Sequence, residues 1–131
     1  MQRTAINPWT WSQTLGYNQG EILEGVNKQL FCSGQTSVDA DGHPQHIDDM
    51  RQQMTLALDN LEAVLHTAEM GLINISKLSI FTTNVDETMK HFDIFGQRFG
   101  SVSASPPMTL VEVSRLAIPG LMFEIDAMAV S

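Results

Sequence analysis

The residues best suited to acid–base chemistry are carboxylates set inside apolar, strand-like runs near the end of the chain. Glu112 lies in residues 108–116, and Glu124 and Asp126 lie in residues 121–130. A carboxylate in a half-buried strand has its charged form penalised, which raises its pKa and suits it to moving protons. Ser33 has no His or Asp nearby in sequence to activate it as a nucleophile. It reads instead as a hydrogen-bonding or structural residue. Cys32, the only cysteine, reads as a small buried residue of opposite strand parity and excludes an internal disulfide. His43 and His46 with Asp48 and Asp49 have a loose spacing that fits a solvated turn better than a metal site, so no metal is expected. No phosphate loop, zinc pattern or cofactor motif is present.

These groups need elements to position them. Residues 14–23 and 29–38 read as strands, the second followed by the turn chemistry of Asp39-Ala40-Asp41-Gly42. In residues 47–70, Met50, Met54, Ala57, Leu58, Leu61, Val64, Leu65 and Ala68 recur at three- and four-residue steps and predict an amphipathic helix. Asp48 and Asp49 fall in its expected first turn and Gly71 at its expected left-handed end. Residues 75–83 predict a strand. Residues 84–99 predict a second helix with a Met89/Phe92/Phe95/Phe99 stripe, followed by a break at Pro106-Pro107. Residues 108–116 and 121–130 supply the last two strands.

The order β-β-α-β-α-β-β predicts an α+β two-layer domain over residues 1–131, with residues 1–13 as a lead-in and both helices on one face of a mixed sheet. Strand alternation leaves the other face mixed, with apolar members among acids, and points to covering by another subunit.

The chain has 131 residues, 43% of them hydrophobic and 17% charged, and a net charge of -8. This charge disfavours nucleic acid and anionic membranes as partners. The absence of an apolar run of membrane-span length and of a leader pattern leads to an expectation of a cytoplasmic location.

Five segments in order resemble the YjgF/RidA family of small trimeric proteins. They are Gly16-Tyr17-Asn18-Gln19-Gly20, Ser33-Gly34-Gln35, residues 58–65 with Asn60, residues 108–113, and Glu124-Ile125-Asp126-Ala127. The resemblance implies a chorismate-mutase-like fold, a homotrimer and three small-molecule clefts at subunit interfaces. In members that hydrolyse enamines and imines, an arginine clamps the substrate carboxylate and a glutamate manages water. Carried over by position, Glu124 is the catalytic candidate, and Tyr17, Ser33, Met108 and Phe92 are substrate-binding candidates. Met108 stands where the arginine is usual, and Phe92 where a polar asparagine is common.

Two roles remain open for Glu124: activating water for attack on a C=N carbon, or lining the barrel as a structural carboxylate bonded to a neighbouring subunit. Tyr17 reads either as a cleft wall or as an aromatic plug. Methionine cannot make the paired charge-assisted hydrogen bonds of a guanidinium, so the resemblance implies a less anionic or more apolar ligand than 2-iminoacid deaminases take. The alternative is a non-catalytic metabolite- or partner-binding trimer. A ribonuclease or translation-inhibitor role is opposed by the charge.

Overall fold

The helical stripe in the first half of the chain and the alternating strands around it pack into two layers in the computed structural model, which describes residues 1–131. The strands are Gln2–Ile6 (β1), Gly20–Glu24 (β2), Gln29–Thr36 (β3), Ile75–Thr82 (β4), Met108–Glu112 (β5) and Phe123–Val130 (β6). The helices are Met50–Thr67 (α1), Val85–Lys90 (α2) and Asp93–Gly100 (α3). A four-stranded sheet runs in the order β3-β6-β4-β5. Its β4–β5 pair is parallel and its other pairs are antiparallel. A parallel pair needs a crossover, and α2 with α3 supplies it. β1 and β2 form a separate antiparallel ribbon.

All three helices contribute to one side of the sheet. Met54, Ala57, Leu58, Leu61 and Leu65 of α1 and Ile94, Phe95 and Phe99 of α3 pack on Leu78, Ile80, Phe123, Ile125, Ala127 and Ala129. This is the α+β arrangement the periodicities predict. The opposite face carries Glu124, Asp126, Phe31, Val111 and Met128 and is uncovered within the chain; Phe31 is 70% exposed there. No helix is long and apolar enough to cross a membrane.

Several local expectations change. The 1–13 lead-in contains a strand, β1, whose polar sequence carries no alternation signal. It is held by pairing with β2 and by Arg3, which bonds Glu21 and the backbone oxygens of Ile73 and Ile75. The second helix is two helices. At His91 and Phe92 the chain switches to three-residue backbone bonds, Ile94 N–H to His91 O and Phe95 N–H to Phe92 O, which re-aims the axis. Ile94, Phe95 and Phe99 are buried as a result, while Met89 leaves the stripe and is 51% exposed.

At the end of α1 the left-handed residue is Glu69, not Gly71, which is extended. At its start Asp49 is the cap, accepting the Gln52 N–H. β5 ends at Glu112, short of the expected 116, because the chain leaves the sheet after Val113 N–H bonds Thr82 O.

Gln53 is fully buried on α1 and ties three loop groups together. Its Nε2 donates to His46 O and Gly120 O at 3.1 Å each, and its Oε1 accepts the Met122 N–H at 2.8 Å. The loop entering β6 is therefore anchored to the helix layer.

Candidate functional site

The sequence-predicted site residues fall into two constellations on opposite faces of the sheet. The first is built where β3 meets β6. A β-bulge between Cys32 and Gln35 inserts one extra residue into β3, in the Ser33-Gly34 stretch. Glu124 lies across from it, and its carboxyl group lies over the Gly34 backbone. A Cβ at Gly34 would stand 2.7 Å from Glu124 Cδ and 2.9 Å from Oε2, so only glycine leaves room for this seat. Asn60, the helix asparagine of the third segment, fixes the end of β3 by donating to Thr36 O at 2.9 Å and Val38 O at 3.0 Å.

No donor of the chain bonds the Glu124 carboxylate. Burial first, and the negative charge of Asp126 second, raise its pKa above the ordinary value. The same two causes raise the Cys32 thiol, which removes it from nucleophile chemistry at neutral pH. Ser33 is exposed beside this seat. Glu112 does not crowd Glu124: it pairs with Thr82, and its Oε1 accepts the Val85 N–H at 2.9 Å, a structural use at the start of α2.

Gly34→Ala is expected to displace the carboxylate into water. Gly34 has no positive φ, and the three atoms nearest the new Cβ all belong to the movable Glu124 side chain, so the melting temperature is expected to stay near wild type. The Glu124 titration midpoint, read by carboxyl carbon NMR, falls toward the ordinary glutamate value; an unchanged midpoint would show that Gly34 does not set the position.

The second constellation is an apolar cleft of about 320 Å³ formed by Leu15, Tyr17, Met89, Phe92, Met108 and Leu110. Tyr17 lines it and is half-buried, and Trp11 backs Tyr17 edge-on at 6.1 Å between ring centroids. Trp9 is exposed and does not line the cleft. Phe92 forms the opposite wall, stacked on Phe95 at 4.5 Å and 7°. Met108, the first residue of β5 after Pro107, forms the floor with Leu110 two residues on. Arg115 sits in the exposed loop after β5 and does not line the cleft of its own chain.

Register separates the two groups. Met108 pairs with Leu78, which pairs with Ala127, all on the helix side. Glu124 pairs with Phe81, which pairs with Val111, on the open side. The rows are three residues apart, about 10 Å along the strands at a rise of ~3.3 Å per residue. Tyr17, Phe92 and Met108 are thus together, Ser33 and Glu124 are together, and one chain does not join the two groups.

The polar turn groups Asp39, Asp41 and His43, leaving out His46, Asp48 and Asp49. Asp39 Oδ1 accepts the N–H groups of Asp41 and His43 at 2.9 Å each, so its carboxylate serves the turn. Asp49 is engaged as the α1 cap. Sequence reasoning missed Leu15, Met89 and Leu110 as cleft residues and Gly34 as the seat. Leu110 was legible from its shared parity with Met108; Met89 was not, because the helix break redirects it.

A family model described as endoribonuclease L-PSP matches residues 11–131. The RutC family protein YjgH of Escherichia coli is 34% identical over 129 residues, covering 98% of this chain and 95% of that protein. The putative reactive intermediate deaminase TdcF of E. coli is 29% identical over 117 residues, covering 85% and 87%. The TdcF crystal structure with bound serine superposes with a TM-score of 0.70, at 29% identity over 97% of this chain and 91% of that one. The structure of YyfB, of the conserved Rid protein family from Yersinia pestis, covers 100% of both chains with a TM-score of 0.87 and 26% identity.

Proposed function

We propose, from the premise that the chain belongs to the endoribonuclease L-PSP family, also called YjgF/RidA, that it forms a homotrimer whose interfacial clefts hydrolyse a C=N bond of an enamine- or imine-type metabolite. The observation that carries this reading is the Glu124 carboxylate: half-buried, seated on Gly34, raised in pKa, and bonded to nothing in its own chain. A base that must hold water needs a free lone pair.

The separation of the two constellations supports the trimer. β5 and β3 are opposite edges of the sheet, and in the proposed trimer a second copy lays its Met108–Tyr17 cleft against the open face that carries Ser33 and Glu124. The exposed Phe31, Val111 and Met128 on that face favour burial by a neighbour. A structural relative with bound serine, TdcF, supports a small-molecule ligand for the shared fold.

In the proposed reaction Glu124 takes a proton from water as the water oxygen bonds to the imine carbon. The C=N electron pair moves to nitrogen, which takes that proton from Glu124 to give a carbinolamine and return the carboxylate. Proton transfer from the hydroxyl through Glu124 to nitrogen then releases ammonia and leaves the carbonyl product. Tyr17, Phe92 and Met108 hold the substrate, and Ser33 lines the water side. No cofactor is called for.

The apolar, cation-free lining of the cleft favours a second reading, a trimer that binds a metabolite without turnover. Ammonia release from 2-aminoacrylate separates the two. Weak, saturable hydrolysis is expected, and Met108→Arg is expected to raise it by at least about tenfold, the worth of a charge-assisted hydrogen bond to a carboxylate. Saturable metabolite binding with no ammonia from any imine leaves only the binding reading, and a monomer by sedimentation at micromolar concentration removes the interfacial site. Salt-sensitive RNA binding is not expected at a net charge of -8.

A further inference from the structure

We infer that the site takes a neutral substrate with an apolar tail, and that the tail enters a second pocket behind Phe92, between α3 and the Leu15–Gly16 turn. This rests on the ligand cleft proposed above and adds the substrate class. The second pocket measures about 170 Å³ and shares Leu15, Phe92 and Met108 with the outer cleft, so the two are adjoining chambers of one groove. The outer chamber alone sits near the lower limit of small-ligand sites, and the inner one extends it into the usual range.

Charge complementarity selects the ligand. Neither chamber contains a Lys, Arg or His, and the only formally polar side chains at their surfaces are Tyr17 and Ser105. The seven cations of the chain are elsewhere: Arg3, Arg51, Lys90 and Arg98 are held in ion pairs, Lys77 bonds Thr109, and neither Lys28 nor Arg115 lines a chamber. A carboxylate seated at Met108 would give up its hydration and gain no cation of the chain in exchange, whereas an uncharged alkyl or aryl group gains thioether and ring contacts.

Two glycines of α3, Gly96 and Gly100, line the inner chamber. Gly96 and Gly100 are one helical turn apart on α3, and a Cβ at either would meet no atom within 4 Å. Neither has a positive φ, so the backbone does not require glycine there, and glycine inside a helix is disfavoured relative to alanine. Gly96 lines the chamber together with Phe92, Phe95 and Phe99, so a side chain there is expected to take up space at its surface.

The test uses two amide–carboxylate pairs, acetamide with acetate and hexanamide with hexanoate, titrated calorimetrically into the intact protein. Hexanamide is expected to bind about tenfold or more tighter than either hexanoate or acetamide, the discrimination a few buried methylenes provide. In Gly96→Leu the hexanamide-to-acetamide ratio is expected to fall about tenfold. Gly100→Leu, at the helix end, is the second variant should Gly96→Leu fail to fold, and the same fall is expected. Equal or tighter binding of hexanoate, no binding of hexanamide at millimolar concentration, or an unchanged ratio in a folded variant overturns the inference. Glu124-dependent hydrolysis of 2-aminoacrylate without a hexanamide preference overturns the tail pocket and leaves the hydrolase reading. The preference without ammonia release from any imine does the reverse.

Discussion

Glu124→Gln is expected to lower imine hydrolysis by about 10²- to 10⁴-fold, the usual contribution of a positioned general base, while raising the melting temperature. The two effects have one origin. The folded chain holds this carboxyl group partly desolvated and near Asp126, so its folded pKa lies above its unfolded one. A raised carboxyl pKa means that the folded state binds the proton more tightly. The stability this confers is complete below the unfolded pKa and is lost as pH rises through the folded pKa. At neutral pH the ionised group therefore opposes folding, and the neutral amide relieves it.

The pH profile follows from the same sign. The base must be ionised, so kcat/KM falls on the acid side with a midpoint above the ordinary glutamate value. Asp126→Asn removes the second cause of the shift and is expected to move that midpoint down. Activity and melting temperature that fall together in Glu124→Gln would mark a structural carboxylate. A rate that survives the substitution would end its catalytic assignment.

Gln53→Leu is expected to cost about 3 kcal/mol of stability, measured by urea unfolding. The two side chains are similar in size, so packing changes little. The loss is that of three hydrogen bonds, to His46 O, Gly120 O and Met122 N–H, at a fully buried position. Stranding a buried donor or acceptor costs ~1–3 kcal/mol each, and loop relaxation toward water recovers part of that. Met122 directly precedes β6, so the same substitution is expected to loosen the strand that presents Glu124. Hydrogen exchange at the Met122 amide should rise before that of the α1 core. Stability within error of wild type would show that the loops find other partners.

Much of the fold was legible because its signals are local. The stripe from Met50 to Leu65 can bury itself only as a helix, and Phe123, Ile125, Ala127 and Ala129 alternate with Glu124, Asp126 and Met128 only as a strand with one covered face. The five ordered segments likewise marked the family, since a short motif records its own neighbourhood. β1 was hidden because its pairing with β2 is long-range and its residues show no apolar alternation. The break at His91 was hidden because a continuous helical pattern carries no sign of where its axis will turn.

By itself, then, the sequence determined the layers and the uncovered mixed face, both of which follow from residue type and spacing. Only the tertiary structure decided which site residues share a place. Whether Tyr17 meets Met108, or Glu124 rests on Gly34, depends on strand order and on a one-residue bulge in β3. Pairing register converts a single-residue shift into a change of face, and no local property of Ser33 or Glu124 encodes it.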